Sequence, residues 1–244
     1  MSEVRRFADL DALSRAAADE LIELGKAAIA ARGRFHVALS GGSTPKRLFQ
    51  LLAARPDALP WDQVELWWGD ERCVPPDHAD SNYGMAREHL IRPLGLADAR
   101  VHRMHGELDP GASARAYEDE LAAALGDPPV LDYAMQGMGP DGHTASLFPD
   151  SPGLDEARRS VIANPVRSPL VPGGQTTRIT LTAPALSAAR HVRFLVAGAD
   201  KAAALAAVLE GPREPRRYPS QLIAAADQAW LVDEAAAAQL GGAR

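Results

Sequence analysis

Cysteine is nearly absent from this chain. Cys73 is the only thiol in 244 residues, so no intrachain disulfide can form, and a reducing, cytoplasmic setting is expected. A basic excess is missing too: 32 Asp and Glu outnumber 26 Lys and Arg, giving −6 with neutral histidines. That balance speaks against general binding of nucleic acid or of a membrane surface, while leaving room for local cationic sites that take a small anion. No apolar run approaches the roughly 20 residues that span a bilayer. The opening Met1-Ser-Glu-Val-Arg-Arg-Phe-Ala-Asp9 is polar and leads straight into a helical pattern, so no secretory leader is expected. Internal repeats and linker-like stretches are also lacking; Ala235–Ala238 is helix-forming rather than low-complexity.

What is present is 46% apolar and 24% charged residues, the balance of a globular domain with a sizeable core. The length suits one large α/β domain over residues 1–244. Leu10, Leu13, Ala17, Leu21, Leu24 and Ala28 recur at helical spacing, with Asp9 as cap and Gly33 as stop. Phe35–Leu39 reads as a buried strand, broken by Ser40–Pro45, and Pro45 suits the first turn of a helix over Lys46–Ala54. The alternation continues with a strand at Val64–Trp68, a helix around Tyr83–Ile91, a helix at Ala112–Leu125 and a strand at Leu131–Gln136. Arg178–Thr182 and Val192–Ala197 are strand-like, Lys201–Leu209 helical, and Ala229–Val232 a last strand before a C-terminal helix. Strands alternating with helices predict a mainly parallel sheet covered on both faces. Ligands bind outside the carboxyl ends of such strands, so the polar segments that follow them should meet on one rim.

Four segments carry chemistry. Leu39-Ser-Gly-Gly-Ser-Thr-Pro45 leads from a strand through two glycines to a helix start, where free backbone N–H groups can hold an anion. Ser40, Ser43 and Thr44 can add hydroxyl donors, and Gly41 and Gly42 allow close approach. It is neither a Walker A loop nor a nucleophile elbow, and a simple helix cap accounts for it equally well. In the second segment, Asp70, Glu71 and Arg72 emerge at the end of an apolar strand, followed by Asp80-Ser-Asn-Tyr83 with Asn82. Carboxylates beside an arginine suit proton transfer together with anion binding, or form a surface ion-pair cluster. Cys73 has no neighbouring base and is read as a passive small side chain.

The third segment, Gly137-Met-Gly-Pro-Asp-Gly-His-Thr-Ala-Ser-Leu-Phe-Pro149, matches G-x-G-x-x-G. A dinucleotide turn, however, needs the first strand-to-helix junction and an acid about 20 residues on, and both are missing here. His143 is the more telling residue. Imidazole takes and returns a proton near neutrality, and Asp141 is close enough to orient it. Fourth come two cations near element ends, Arg178 and Lys201, suited to a phosphate or else solvated. His102 and His105 lack the clustered carboxylate or thiolate of a metal set.

Taken together, Ser40–Pro45, Gly69-Asp-Glu-Arg72 with Asp80–Tyr83, Gly137–Pro149, Arg178–Thr182 and Gly198-Ala-Asp-Lys-Ala202 resemble the glucosamine-6-phosphate isomerase/6-phosphogluconolactonase superfamily, and its lactonase branch in particular. The resemblance spans nearly the whole chain. It implies a three-layer, Rossmann-like α/β/α fold and hydrolysis of 6-phospho-D-glucono-1,5-lactone, the second step of the oxidative pentose phosphate pathway. It implies no metal and no nucleotide cofactor and a sugar-phosphate lactone as the small-molecule partner; a monomer or weak homodimer is expected, which the sequence does not decide. By the family pattern His143 is the catalytic base with Asp141 as companion, while Asp70 matches a deaminase base. Ser40, Gly41, Gly42, Ser43, Thr44, Arg72, Asn82, Gly142, Arg178 and Lys201 would hold the phosphorylated substrate. Deaminating members carry a relay glutamate where this chain has Phe148, which puts amino-sugar isomerisation in doubt. That activity and a non-catalytic sugar-phosphate sensor are the alternatives.

Overall fold

In the computed structural model, which describes residues 3–241, the chain folds into two sheets. Among the described residues there are nine strands: β1 (Glu3–Phe7), β2 (Phe35–Leu39), β3 (Val64–Trp68), β4 (Asp70–Arg72), β5 (Tyr133–Gln136), β6 (Val161–Arg167), β7 (Gln175–Leu181), β8 (His191–Val196) and β9 (Gln228–Asp233). Six of them form a sheet in the order β1-β9-β8-β5-β2-β3, parallel throughout, and β4-β7-β6 form a small antiparallel sheet. The helices are α1 (Leu10–Arg32), α2 (Ser43–Ala53), α3 (Asn82–Ala86), α4 (Arg92–Leu94), α5 (Pro110–Leu125), α6 (Ala183–Ser187) and α7 (Ala202–Glu210). A π turn, Arg87–Ile91, joins α3 to α4.

The parallel strands are apolar on both sides, and successive side chains enter different cores. Val37, Leu39, Leu66, Trp68, Tyr133, Met135 and Leu231 pack with α1 and α2. Ala38, Trp67, Ala134, Phe194, Val196, Trp230 and Val232 pack with α5 and α7 on the opposite face. The result is a three-layer, Rossmann-like α/β/α arrangement. No helix among the described residues is long and apolar enough to cross a membrane.

Several expectations are corrected. The segment before α1 is a strand, β1, laid parallel to β9 at the edge of the sheet. The strand containing Arg178 starts earlier, at Gln175, and leaves the main sheet to pair antiparallel with β4 and β6. β6 itself was not foreseen: Pro165 interrupts its pattern and is tolerated because β6 is an edge strand. At the C-terminus the alanines form only a 3-10 turn, Ala236–Gln239, instead of a helix. Helix starts also shift: α2 begins at Ser43 and α5 at Pro110, where Asp109 caps it.

Strand order reverses between β2 and β5. The chain leaves β2 for β3 on one side, then returns to β5 on the other side of β2 and moves outward through β8 to β9. The segments after β2 and β5 therefore face each other across a crevice at the carboxyl ends of the strands, where such sheets bind ligands.

Candidate active site

At this crevice lies a cleft of about 440 Å³. The segments after β2, β3, β5 and β8 all reach it: Ser40–Pro45, Asp70 with Arg72, Gly137–Pro140 with His143, and Asp200 with Lys201. Asn82, at the start of α3, joins the wall. The convergence foreseen from strand alternation is thus present.

The segment after β5 forms no helix. Gly142 donates to the Gly139 carbonyl at 3.0 Å and Gly139 donates to the His143 carbonyl at 2.9 Å, which closes a tight turn. Gly142 sits at φ +78°, where a side chain would also meet Tyr218. Its carbonyl accepts both the N–H and the hydroxyl of Ser220, at 2.9 and 2.8 Å. Gly142 thus lies outside the lining of the cleft, with its N–H spent within the turn and its carbonyl on Ser220.

Within the turn, Nδ1 of His143 lies 2.5 Å from Oδ1 of Asp141, and the same oxygen accepts the His143 backbone N–H at 3.1 Å. An ionised carboxylate only accepts, so Nδ1 is the donor of this pair, and the lone pair of the neutral ring falls on Nε2. Burial raises Asp141, but the hydrogen bond and charge of His143 outweigh it and hold the carboxyl below its ordinary value. Phe148 lies under the imidazole, ring centroids 4.0 Å apart and 16° from parallel. Nothing in the spacing of the segment pointed to this stack. Gly139 leaves room for the pair, since a Cβ there would fall on the His143 ring and the Asp141 carboxylate.

The cationic side is built by β4 and β7. Arg72 and Arg178 are cross-strand partners, so both guanidiniums lie on one face. The Nε atoms of both are buried without a partner, although Arg72 donates through a terminal nitrogen to the Asp80 carbonyl. Buried donors left open beside each other suit an anion. Burial, then the like charge of Arg72, pulls the Arg178 guanidinium below its ordinary value. Arg178 stands behind Arg72 rather than in the cleft wall, whereas Lys201 is in the wall and donates to Asp200 at 2.7 Å. The start of α2 adds uncapped N–H groups, because Gly42 at its N-cap offers no side chain.

Asp70 and Glu71 point opposite ways along β4. Asp70 is in the cleft wall and accepts from Ser146 and Asn82. Glu71 is 2% exposed and accepts the backbone N–H groups of Arg72, Asn82 and Tyr83 and the Ser81 hydroxyl. Burial pushes its carboxyl up against those bonds. Glu71 therefore ties β4 to the start of α3. The sequence suggested a pair of carboxylates with Asp70, but the bonds of Glu71 all go to its own strand and to the start of α3.

The family described as glucosamine-6-phosphate isomerases/6-phosphogluconolactonase matches residues 8–232. The chain is 40% identical to the 6-phosphogluconolactonase of Synechocystis sp., over 87% of this chain and 88% of that protein. It is also 40% identical to the 6-phosphogluconolactonase of Mycobacterium tuberculosis, over 98% of both. Among solved structures, 6-phosphogluconolactonase from Trypanosoma cruzi is similar with a TM-score of 0.86 and 29% identity, covering 98% of this chain and 97% of that one.

Proposed function

From the premise that this chain belongs to the glucosamine-6-phosphate isomerase/6-phosphogluconolactonase family, we propose that His143, backed by Asp141, is the group that moves the proton in its reaction. The reaction is hydrolysis of 6-phospho-D-glucono-1,5-lactone to 6-phospho-D-gluconate in the pentose phosphate pathway. The observation that carries the assignment is the 2.5 Å contact between His143 Nδ1 and Asp141 at a cleft walled by Arg72 and Lys201.

The phosphate of the lactone is held by Arg72, Arg178 and Lys201 together with the N–H groups and hydroxyls of Ser40–Thr44. That anchor brings the carbonyl carbon C1 to His143. Nε2 takes a proton from water as the oxygen attacks C1, and Asp141 stabilises the imidazolium that forms. Backbone N–H groups at the cleft that are not spent within the turn stabilise the oxyanion. When the tetrahedral intermediate collapses, the C1–ring-oxygen bond breaks and His143 returns its proton to that oxygen. Acid–base help of this kind supplies about 10²–10⁴ in rate.

Phe148 gives the ring a flat apolar support and offers no atom that relays a proton. Lactone opening above the spontaneous rate, assayed beside ammonia release from glucosamine 6-phosphate, tests the reading. Turnover of the lactone without ammonia is expected; ammonia release at a comparable rate would contradict it.

A further inference from the structure

We propose that Asp70 accepts the C2 hydroxyl of the lactone and that Ser146 is the positioning residue that aims it. The inference rests on the cleft reading above and adds a substrate contact to it. Asp70 is 7% exposed and yet part of the cleft wall. Its Oδ2 accepts the Ser146 hydroxyl at 2.6 Å and its Oδ1 accepts Asn82 Nδ2 at 3.1 Å. Asn82 also donates to the Asp70 carbonyl at 2.8 Å, so side chain and backbone are fixed together. Ser146 is 1% exposed, and solvent does not compete for its hydroxyl.

Two fixed donors set the plane of the carboxylate without filling it, because a carboxylate accepts about four hydrogen bonds. The open lone pairs of a nearly buried carboxylate in a ligand cleft require a donor. The phosphate and the carbonyl of the lactone only accept; its donors are the ring hydroxyls. The other carboxylate in the cleft wall, Asp200, already accepts from Lys201 at 2.7 Å.

Register selects the hydroxyl. Asp70 and Arg72 are two residues apart on β4, hence on one face and about 7 Å apart along the strand. With the phosphate at Arg72 and Arg178, Asp70 faces the far end of the sugar. Ser146 ties it to the segment that carries His143, three residues earlier in the chain. The hydroxyl beside the reacting carbon is the one on C2. In this role Asp70 takes a hydrogen bond, and the proton of the reaction stays with His143.

The test compares kcat/KM for the natural lactone and for its 2-deoxy analogue, with the spontaneous opening of each subtracted. Wild type is expected to prefer the natural lactone by about 10- to 100-fold, the size of a hydrogen bond to a charged group. In Asp70→Ala the preference falls to within about threefold of unity, and in Ser146→Ala to less than about a third of its wild-type size. A general loss of structure in either variant would lower kcat/KM for both lactones by the same factor and leave the preference unchanged, so the ratio reads the contact itself. A wild-type preference kept by both variants, or a wild type with no preference, overturns the proposal. A His143→Ala control separates the failures. If it retains turnover, the proton assignment falls; if it is inactive while the preference is unchanged in the other variants, only the role of Asp70 falls.

Discussion

His143 lies face to face with Phe148, ring centroids 4.0 Å apart. With Nδ1 bound to Asp141 on one edge and an apolar ring under one face, the imidazole is fixed in both tilt and rotation. Phe148 in turn packs with Val166 of β6 and Val171 in the turn that follows it, so the support is anchored in the small sheet. Phe148→Leu keeps an apolar side chain and removes the flat surface. A fall in kcat of about tenfold with little change in KM is expected, the scale of a stacked ring pair. Steady-state kinetics on the lactone check it.

Gly139 is a second such control. A methyl group at this position collides with both His143 and Asp141. Gly139→Ala should therefore lower kcat by about 100-fold, as a small misplacement of the reacting groups does, while the fold melts as a single transition. Thermal unfolding beside kinetics separates the two effects.

The paired guanidiniums make a different prediction. Arg178→Ala removes a buried donor that has no protein partner at Nε. KM for the phosphorylated lactone should rise by about 10- to 100-fold with kcat much less affected. Turnover of unphosphorylated gluconolactone should be unchanged, since that substrate lacks the anion. An equal loss with both lactones would contradict the phosphate role.

Stability should report on Asp141. Its carboxyl is held below the ordinary value through His143, so the unfolded chain takes up protons first as the pH falls. The stabilisation from this group is complete above the unfolded pKa of about 3.9 and is lost as the pH falls through the lower folded value. Asp141→Asn removes the ionisable group and with it this loss. The gap in melting temperature between wild type and variant should be widest above pH 5 and narrow in acid; a gap that widens below pH 4 would contradict the sign.

The segments after β2, β3, β5 and β8 were readable because each follows a short strand rich in apolar residues, such as Leu66-Trp-Trp68 in β3. Parallel pairing then places every strand end on one rim. Of the small sheet only the second half of β7 was readable. β4 has only three residues, all polar, and β6 contains Pro165, so neither shows a hydrophobic period. β1 owes its existence to β9, more than two hundred residues away, and carries little apolar signal of its own. The same reason hid the bond from Ser146 to Asp70, which joins positions 76 residues apart, and the stack of Phe148 on His143, which depends on how the turn at Gly142 bends. His143 and Asp141, two residues apart, needed no long-range information, and their contact could be expected from the segment alone.

The most direct test is the turnover of His143→Ala on 6-phospho-D-glucono-1,5-lactone, measured with the spontaneous opening subtracted. A kcat at least about 100-fold below wild type, with KM within a few-fold, is the result expected of a lost proton carrier. A variant that opens the lactone at close to the wild-type rate would contradict the assignment.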